Sequence, residues 1–221
     1  KNTQDGIDLL YADGTGSVDV YDGVFAKNAG NDLKISGSGT ISGNVFWSYC
    51  TWFTDARYPA AGDSCRAGGG LLGAFNGPNQ TEKWTFNTML GNPSGMFVGD
   101  STNAQSSDTY YIENNIFVGI ANQDGARPFF SWFSDSTFPE KVVYVNNLVW
   151  GTRNARCYST GIICKDPLLK NQNLRAFDAT PSRESPALGA AVGATREGGQ
   201  KGALRRNVGA IQQPTWKMPS W

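Results

Sequence analysis

The chain contains no histidine. That absence removes Ser-His-Asp and Cys-His catalysis, and with it the commonest nitrogen ligand for a metal. Zinc is disfavoured again by the four cysteines, none of which forms a Cys-x-x-Cys pair. Charge is scarce and balanced: 17% of residues are charged, and 19 basic side chains face 19 acidic ones. A net charge of zero gives no reason to expect nucleic acid or an anionic membrane as partner. No window of about twenty apolar residues occurs, so a membrane-spanning helix is not expected. Nor does any segment of helical length carry a convincing 3.6-residue apolar period, which argues against a βαβ arrangement. No secretory leader is visible, as expected of a mature exported chain.

What the chain does hold is glycine and aromatics. With 221 residues it is long enough for one domain with a sizeable core. Its 27 Gly, 12 Phe, 7 Trp and 8 Tyr suit an all-β protein with many tight turns. The cysteines sit at 50, 65, 157 and 164. An even count with two short separations suggests Cys50–Cys65 and Cys157–Cys164 disulfides in an oxidising compartment, although four cysteines permit three pairings.

An imperfect repeat runs through most of the sequence. Val20-Tyr-Asp-Gly-Val-Phe25, Ile41-Ser-Gly-Asn-Val-Phe46, Trp84-Thr-Phe-Asn-Thr-Met89, Ile112-Glu-Asn-Asn-Ile-Phe117 and Tyr144-Val-Asn-Asn-Leu-Val149 share one pattern. Gly23, Asn44, Asn87, Asn115 and Asn147 then fall at equivalent positions, 21, 43, 28 and 32 residues apart. Between them lies a second class of short strand at Gly6–Ala12, Leu33–Ser36, Leu71–Phe75, Met96–Val98 and Pro128–Phe133. Two strand types alternating at this period describe a parallel β-solenoid. An antiparallel sandwich would have equally short strands but no reason for Asn to recur, whereas stacked Asn side chains hydrogen-bond from coil to coil.

Residues 1–163 are expected to form the coils. An excursion at about 47–70 is crowded with Trp47, Tyr49, Trp52, Phe53 and Tyr58, which either cover a core or stack on sugar rings. Asp100–Asp108 reads as a surface loop. From 164 to 221 the style changes to Asp166-Pro-Leu168, Ser185-Pro-Ala187 and Gly209-Ala210, a segment expected to cover the open end of the solenoid. The basic residues between Lys170 and Arg206 are expected to be a solvated surface.

The chemistry-bearing stretch comes first. In Asp5-Gly-Ile-Asp8-Leu9 and, one coil on, Asp32-Leu-Lys34-Ile35, apolar residues alternate with charged ones. A strand period of two turns Ile7, Leu9, Leu33 and Ile35 inward and Asp8, Asp32 and Lys34 outward. Stacked coils would then bring two carboxylates and an amine together on one outer face.

These residues, continued through Gly30-Asn-Asp-Leu-Lys34-Ile-Ser-Gly37 and Ile41-Ser-Gly-Asn-Val-Phe46, resemble the catalytic run of polysaccharide lyase family nine. That family's pattern reads Asp-Asp-Gly-Phe-Asp and, one coil later, Gly-Asn-Gly-Phe-Lys-Leu-Gly-Gly. The resemblance implies an all-β, right-handed parallel β-helix of pectate lyase type, secreted and extracellular. It implies Lys34 as Brønsted base, Asp5 and Asp8 as calcium ligands with Asp32 counted beside them, and an acidic, pectate-like polysaccharide as substrate. Calcium would withdraw charge from the substrate carboxylate and lower the pKa of Lys34, and an alkaline pH optimum follows. Gln4 replaces the first of the family's paired aspartates, and Lys1 stands just before the motif. The resemblance therefore implies a C-terminal portion, with an N-terminal companion chain of the same precursor as partner. Two other functions fit the same pattern: a non-catalytic polysaccharide-binding β-helix, and a β-helix glycoside hydrolase with paired acids.

Overall fold

The computed structural model describes residues 5–9, 16–28, 31–47, 71–75, 77–91, 97–100, 107–119, 130–132, 142–151, 157, 160–173, 176–193, 206–212 and 217. Among them are strands and turns but no helix. The strands sort into three long parallel sheets, and from the first strand to the fifteenth the chain visits the sheets in strict rotation. The first sheet stacks β1 (Ile7–Leu9), β4 (Leu33–Ser36), β7 (Leu71–Ala74), β10 (Phe97–Asp100) and β13 (Phe130–Trp132). The second stacks β2 (Ser17–Tyr21), β5 (Ser38–Ser42), β8 (Thr81–Thr85), β11 (Thr109–Glu113) and β14 (Val142–Val145). The third stacks β3 (Val24–Ala26), β6 (Val45–Trp47), β9 (Thr88–Leu90), β12 (Ile116–Val118), β15 (Asn147–Trp150) and β16 (Ile162–Cys164).

Each circuit thus contributes three strands, where the sequence pattern suggested two types. The recurring Asn motif is not one strand but two, divided by a single-residue bend. Asp22, Gly43, Phe86, Asn114 and Asn146 all have φ between 52° and 74°. Each immediately precedes a ladder position and turns the chain from the second sheet into the third. Four of the five are not glycine, so the bend carries no glycine signature in the sequence.

The Asn ladder closes that bend. Asn44 donates to Asn87 Oδ1 through both its backbone N–H (3.0 Å) and its Nδ2 (3.1 Å). Asn87 does the same to Asn115, at 2.8 and 3.0 Å, and Asn115 to Asn147, at 3.1 and 3.0 Å. The other Nδ2 proton of each goes to a main-chain carbonyl of the preceding circuit: Val20, Ile41, Trp84 or Ile112. Gly23, lacking a side chain, joins only through its N–H to Asn44 Oδ1 at 2.8 Å. Asparagine recurs because it satisfies buried backbone groups that would otherwise each cost roughly 1–3 kcal/mol.

Register then sorts the side chains into columns. Leu33, Ile35, Ile41, Phe46, Leu71, Trp84, Met89, Ile112 and Phe117 face the interior, all nearly fully buried. Each such side chain contributes about 1.5–3 kcal/mol of transfer free energy. Ile7 and Leu9 occupy the same columns as Leu33 and Ile35, yet they are 40% and 38% exposed because β1 is the edge strand of its sheet.

The third sheet is covered on both faces, as parallel sheets commonly are. Its outward side chains Val45, Trp47, Leu90, Ile116, Val118 and Leu148 pack against Phe177, Ala187, Val208 and Ile211. The chain after Cys164 includes an antiparallel pair, β17 (Leu169–Asn171) and β18 (Asp178–Pro181), and then runs back along this wall. Ala210 N–H donates to Thr88 Oγ1 (3.0 Å), Gly209 N–H to Asn114 O (2.7 Å), and Val192 N–H to Asn114 Oδ1 (3.0 Å). The described part of this segment therefore covers the outward, apolar face of the third sheet.

Cys157 and Cys164 form a disulfide. Cys50, Cys65, Tyr49, Trp52, Phe53 and Tyr58 lie outside the described residues. Trp47 itself is a core residue, 4% exposed, with its ring 6.0 Å from that of Phe177. Of the 100–108 stretch, Asp108 is buried and accepts the Gln80 N–H at 2.8 Å, so this end of it is built into the turn before β8.

Candidate functional site

Asp8 and Lys34 are register partners on neighbouring rungs of the first sheet. Both stand on the outward side of the alternation, between inward-facing leucines and isoleucines. Asp5 lies just before β1 and turns back toward the same point. Lys34 Nζ is 2.7 Å from Asp5 Oδ2 and 3.2 Å from Asp8 Oδ2. The three side chains are 14%, 16% and 35% exposed for Lys34, Asp5 and Asp8 respectively. One ammonium is thus shared by two carboxylates in a half-sheltered position.

The backbone explains why Asp5 faces this way. Its Oδ1 accepts the Asn31 N–H at 2.7 Å, while Gly6 N–H donates to Asn31 O at 2.8 Å. Gly6 is pressed against the next rung: a Cβ there would meet Asp32 O at 2.5 Å and Asn28 Nδ2 at 2.7 Å. The glycine of the Asp-Gly-Ile-Asp run is therefore needed for close approach, and it sets the distance across which Asp5 reaches Lys34. Asn31 was not singled out as a site residue in the sequence, where it stood only within the Gly30-Asn-Asp run.

Asp32 does not join the group. It precedes β4, is fully buried, and accepts a hydrogen bond from Asn28 Nδ2 at 2.8 Å. The expected outward orientation fails because the strand alternation begins only at Leu33; Asp32 belongs to the bend, where its side chain helps satisfy buried polar groups. No known protein family, characterised protein or solved structure matches the chain.

Two opposing effects act on the Lys34 amine. Burial works to lower its pKa, but the hydrogen bond and charge of Asp5, and then those of Asp8, outweigh it. The net result is a pKa raised above the ordinary lysine value, so Lys34 is an ammonium at neutral pH. This is opposite in direction to the lowering that an adjacent calcium ion would bring.

Calcium requires six to eight hard oxygen ligands. Asp5 and Asp8 both direct a carboxylate oxygen at Lys34, whose ammonium fills the place a cation would take between them. Asp32 is directed into the interior, and among the described residues no group of three His, Cys, Asp or Glu could hold a metal ion. As arranged, these residues do not fit a calcium site.

Proposed function

We propose that this chain is a right-handed parallel β-helix, exported to an oxidising compartment, that acts on an acidic polysaccharide by lyase-type elimination with Lys34 as the base. The rotation of the strand order through three parallel sheets supports the coil, and parallel connections favour the right hand. The Cys157–Cys164 disulfide supports the compartment. The observation that carries the functional reading is the outward Lys34 amine, fixed across two rungs by Asp5 and Asp8.

In a polyuronate the proton on the carbon beside the carboxylate is weakly acidic. A neutral Lys34 Nζ would take it; the C–H electron pair would form the new double bond to the neighbouring carbon; and the glycosidic C–O bond there would break, its oxygen being protonated by water. Asp5 and Asp8 hold the nitrogen in place and accept its N–H bonds, which leaves the lone pair free to face outward. Because both acids favour the ammonium, the base form becomes available only under alkaline conditions.

Unsaturated uronate, followed by ultraviolet absorbance on polygalacturonate, reports the reaction directly. The signal is expected to rise with pH from neutrality upward, to survive a chelator, and to fall at least 100-fold in Lys34→Ala. Equal absorbance from Lys34→Ala, or activity that peaks below neutrality, removes Lys34 from this role. A second reading, a non-catalytic polysaccharide-binding coil, is favoured by the same ion triad if its purpose is to clasp β1 to β4. In that case Lys34→Ala would lose stability while retention on immobilised pectate stayed unchanged and no unsaturated product formed with either chain.

A further inference from the structure

Glu82 sits on β8 with its side chain turned into the interior, 0% exposed. Register places it in an inward column with Val18, Gly39, Tyr110 and Val142. Room for the carboxyl comes from glycine: a Cβ added to Gly73 on β7 would collide with it. Oε2 accepts the Trp84 indole N–H at 2.8 Å, and the Ala74 backbone also hydrogen-bonds to the carboxyl. Oε1 is buried and has no hydrogen-bond partner among the described residues.

Among the described residues no cation compensates this acid. Of the residues facing it from β5, β7 and β11, only Tyr110 titrates, and its hydroxyl donates to Gly73 O at 2.9 Å. The charged residues of the adjoining strands, Lys34 on β4, Lys83 on β8 and Glu113 on β11, occupy outward positions of the alternation. An ionised carboxylate here would keep one indole and one peptide donor in place of its hydration, which leaves a large desolvation penalty.

We propose that Glu82 is a proton-operated latch inside the stack: while its carboxyl keeps a proton, the levels of β7, β8 and β11 pack together, and loss of that proton to solvent drives them apart. Burial acts in this direction, holding the Glu82 carboxyl well above the ordinary range, and the Trp84 and Ala74 hydrogen bonds offset it only in part. A carboxyl protonated in the folded chain and ionised in the unfolded one gives stability that is complete below the ordinary glutamate range and declines as pH rises toward the folded-state value.

Two measurements test this. First, the pH dependence of unfolding is compared in wild type and Glu82→Gln. From about pH 5 upward the wild-type unfolding constant should rise more steeply than that of Glu82→Gln, by up to about tenfold per pH unit, the signature of one proton released on unfolding. Identical slopes overturn the proposal. Second, infrared spectra of wild-type protein carrying 13C-carboxyl glutamate should show a protonated-acid carbonyl band at pH 7 that vanishes on unfolding; the label separates Glu82 from Asp32. Absence of that band in the folded protein also overturns the proposal, and this arm decides alone if Glu82→Gln does not fold.

Discussion

Lys34 and Glu82 are buried to different degrees and carry opposite demands. Lys34 lies between two acids and is favoured as a cation; Glu82 lies among apolar and glycine neighbours and is favoured as a neutral acid. Because the Lys34 pKa is raised in the folded chain, its contribution to stability is complete below the ordinary lysine value of 10.5 and is lost only as pH climbs past it. Lys34→Met should therefore lower stability by on the order of 1 kcal/mol at neutral pH, discounted for the partial exposure of the group. Denaturant midpoints for the two proteins should converge above pH 10.5. At this scale the sequence was informative about Asp8 and Lys34, because strand parity alone fixes which side they take; Asp5 lies before β1 and was reached through the Asp-Gly-Ile-Asp pattern instead. It misled on Asp32, whose parity counts from a strand that starts one residue later, and it was silent on Glu82. An acid between threonine and lysine reads as surface until β5 and β7 supply glycine beside it at Gly39 and Gly73.

At the level of the element, the bend preceding each Asn decides the topology. Five residues at positive φ turn second-sheet strands into third-sheet strands, and the Asn ladder holds those turns one above another. Asn115 is bonded on both sides: its Oδ1 accepts two bonds from Asn87, and its Nδ2 serves both Trp84 O and Asn147 Oδ1. Asn115→Ala should cost about 3 kcal/mol, since several buried groups lose partners together. Asn44→Ala should cost less, because the rung before it is a glycine with only an N–H to offer. Urea titration of the two variants checks the order. The Asn repeat was visible in the sequence because its cause is chemical and local to each circuit. The third strand was not, because Asp22, Phe86, Asn114 and Asn146 bend the chain without the glycine that usually marks such a bend.

For the whole molecule, the stack depends on its own C-terminal segment as a wall covering. Gly209 is the contact point: its φ is +84°, and a Cβ would meet both Ile116 Cδ1 and Thr88 Oγ1 at 2.6 Å. Gly209→Val should strain the backbone and lift the segment, costing at least about 2 kcal/mol. The uncovered Val45, Leu90, Val118 and Leu148 should then bind a hydrophobic dye at native pH, with the far-ultraviolet β signal retained. The composition of this segment was readable from the sequence. Its placement was not, since which apolar face it serves depends on the outward side of a sheet assembled from six separate strands. A last consequence concerns chain length. Asn44 and Asn87 are 43 residues apart and Asn87 and Asn115 only 28, yet the amide contacts are the same to within 0.1 Å, 3.1 against 3.0 Å. The vertical pitch of the protein is thus set by the rungs themselves and is indifferent to how many residues separate one amide from the next.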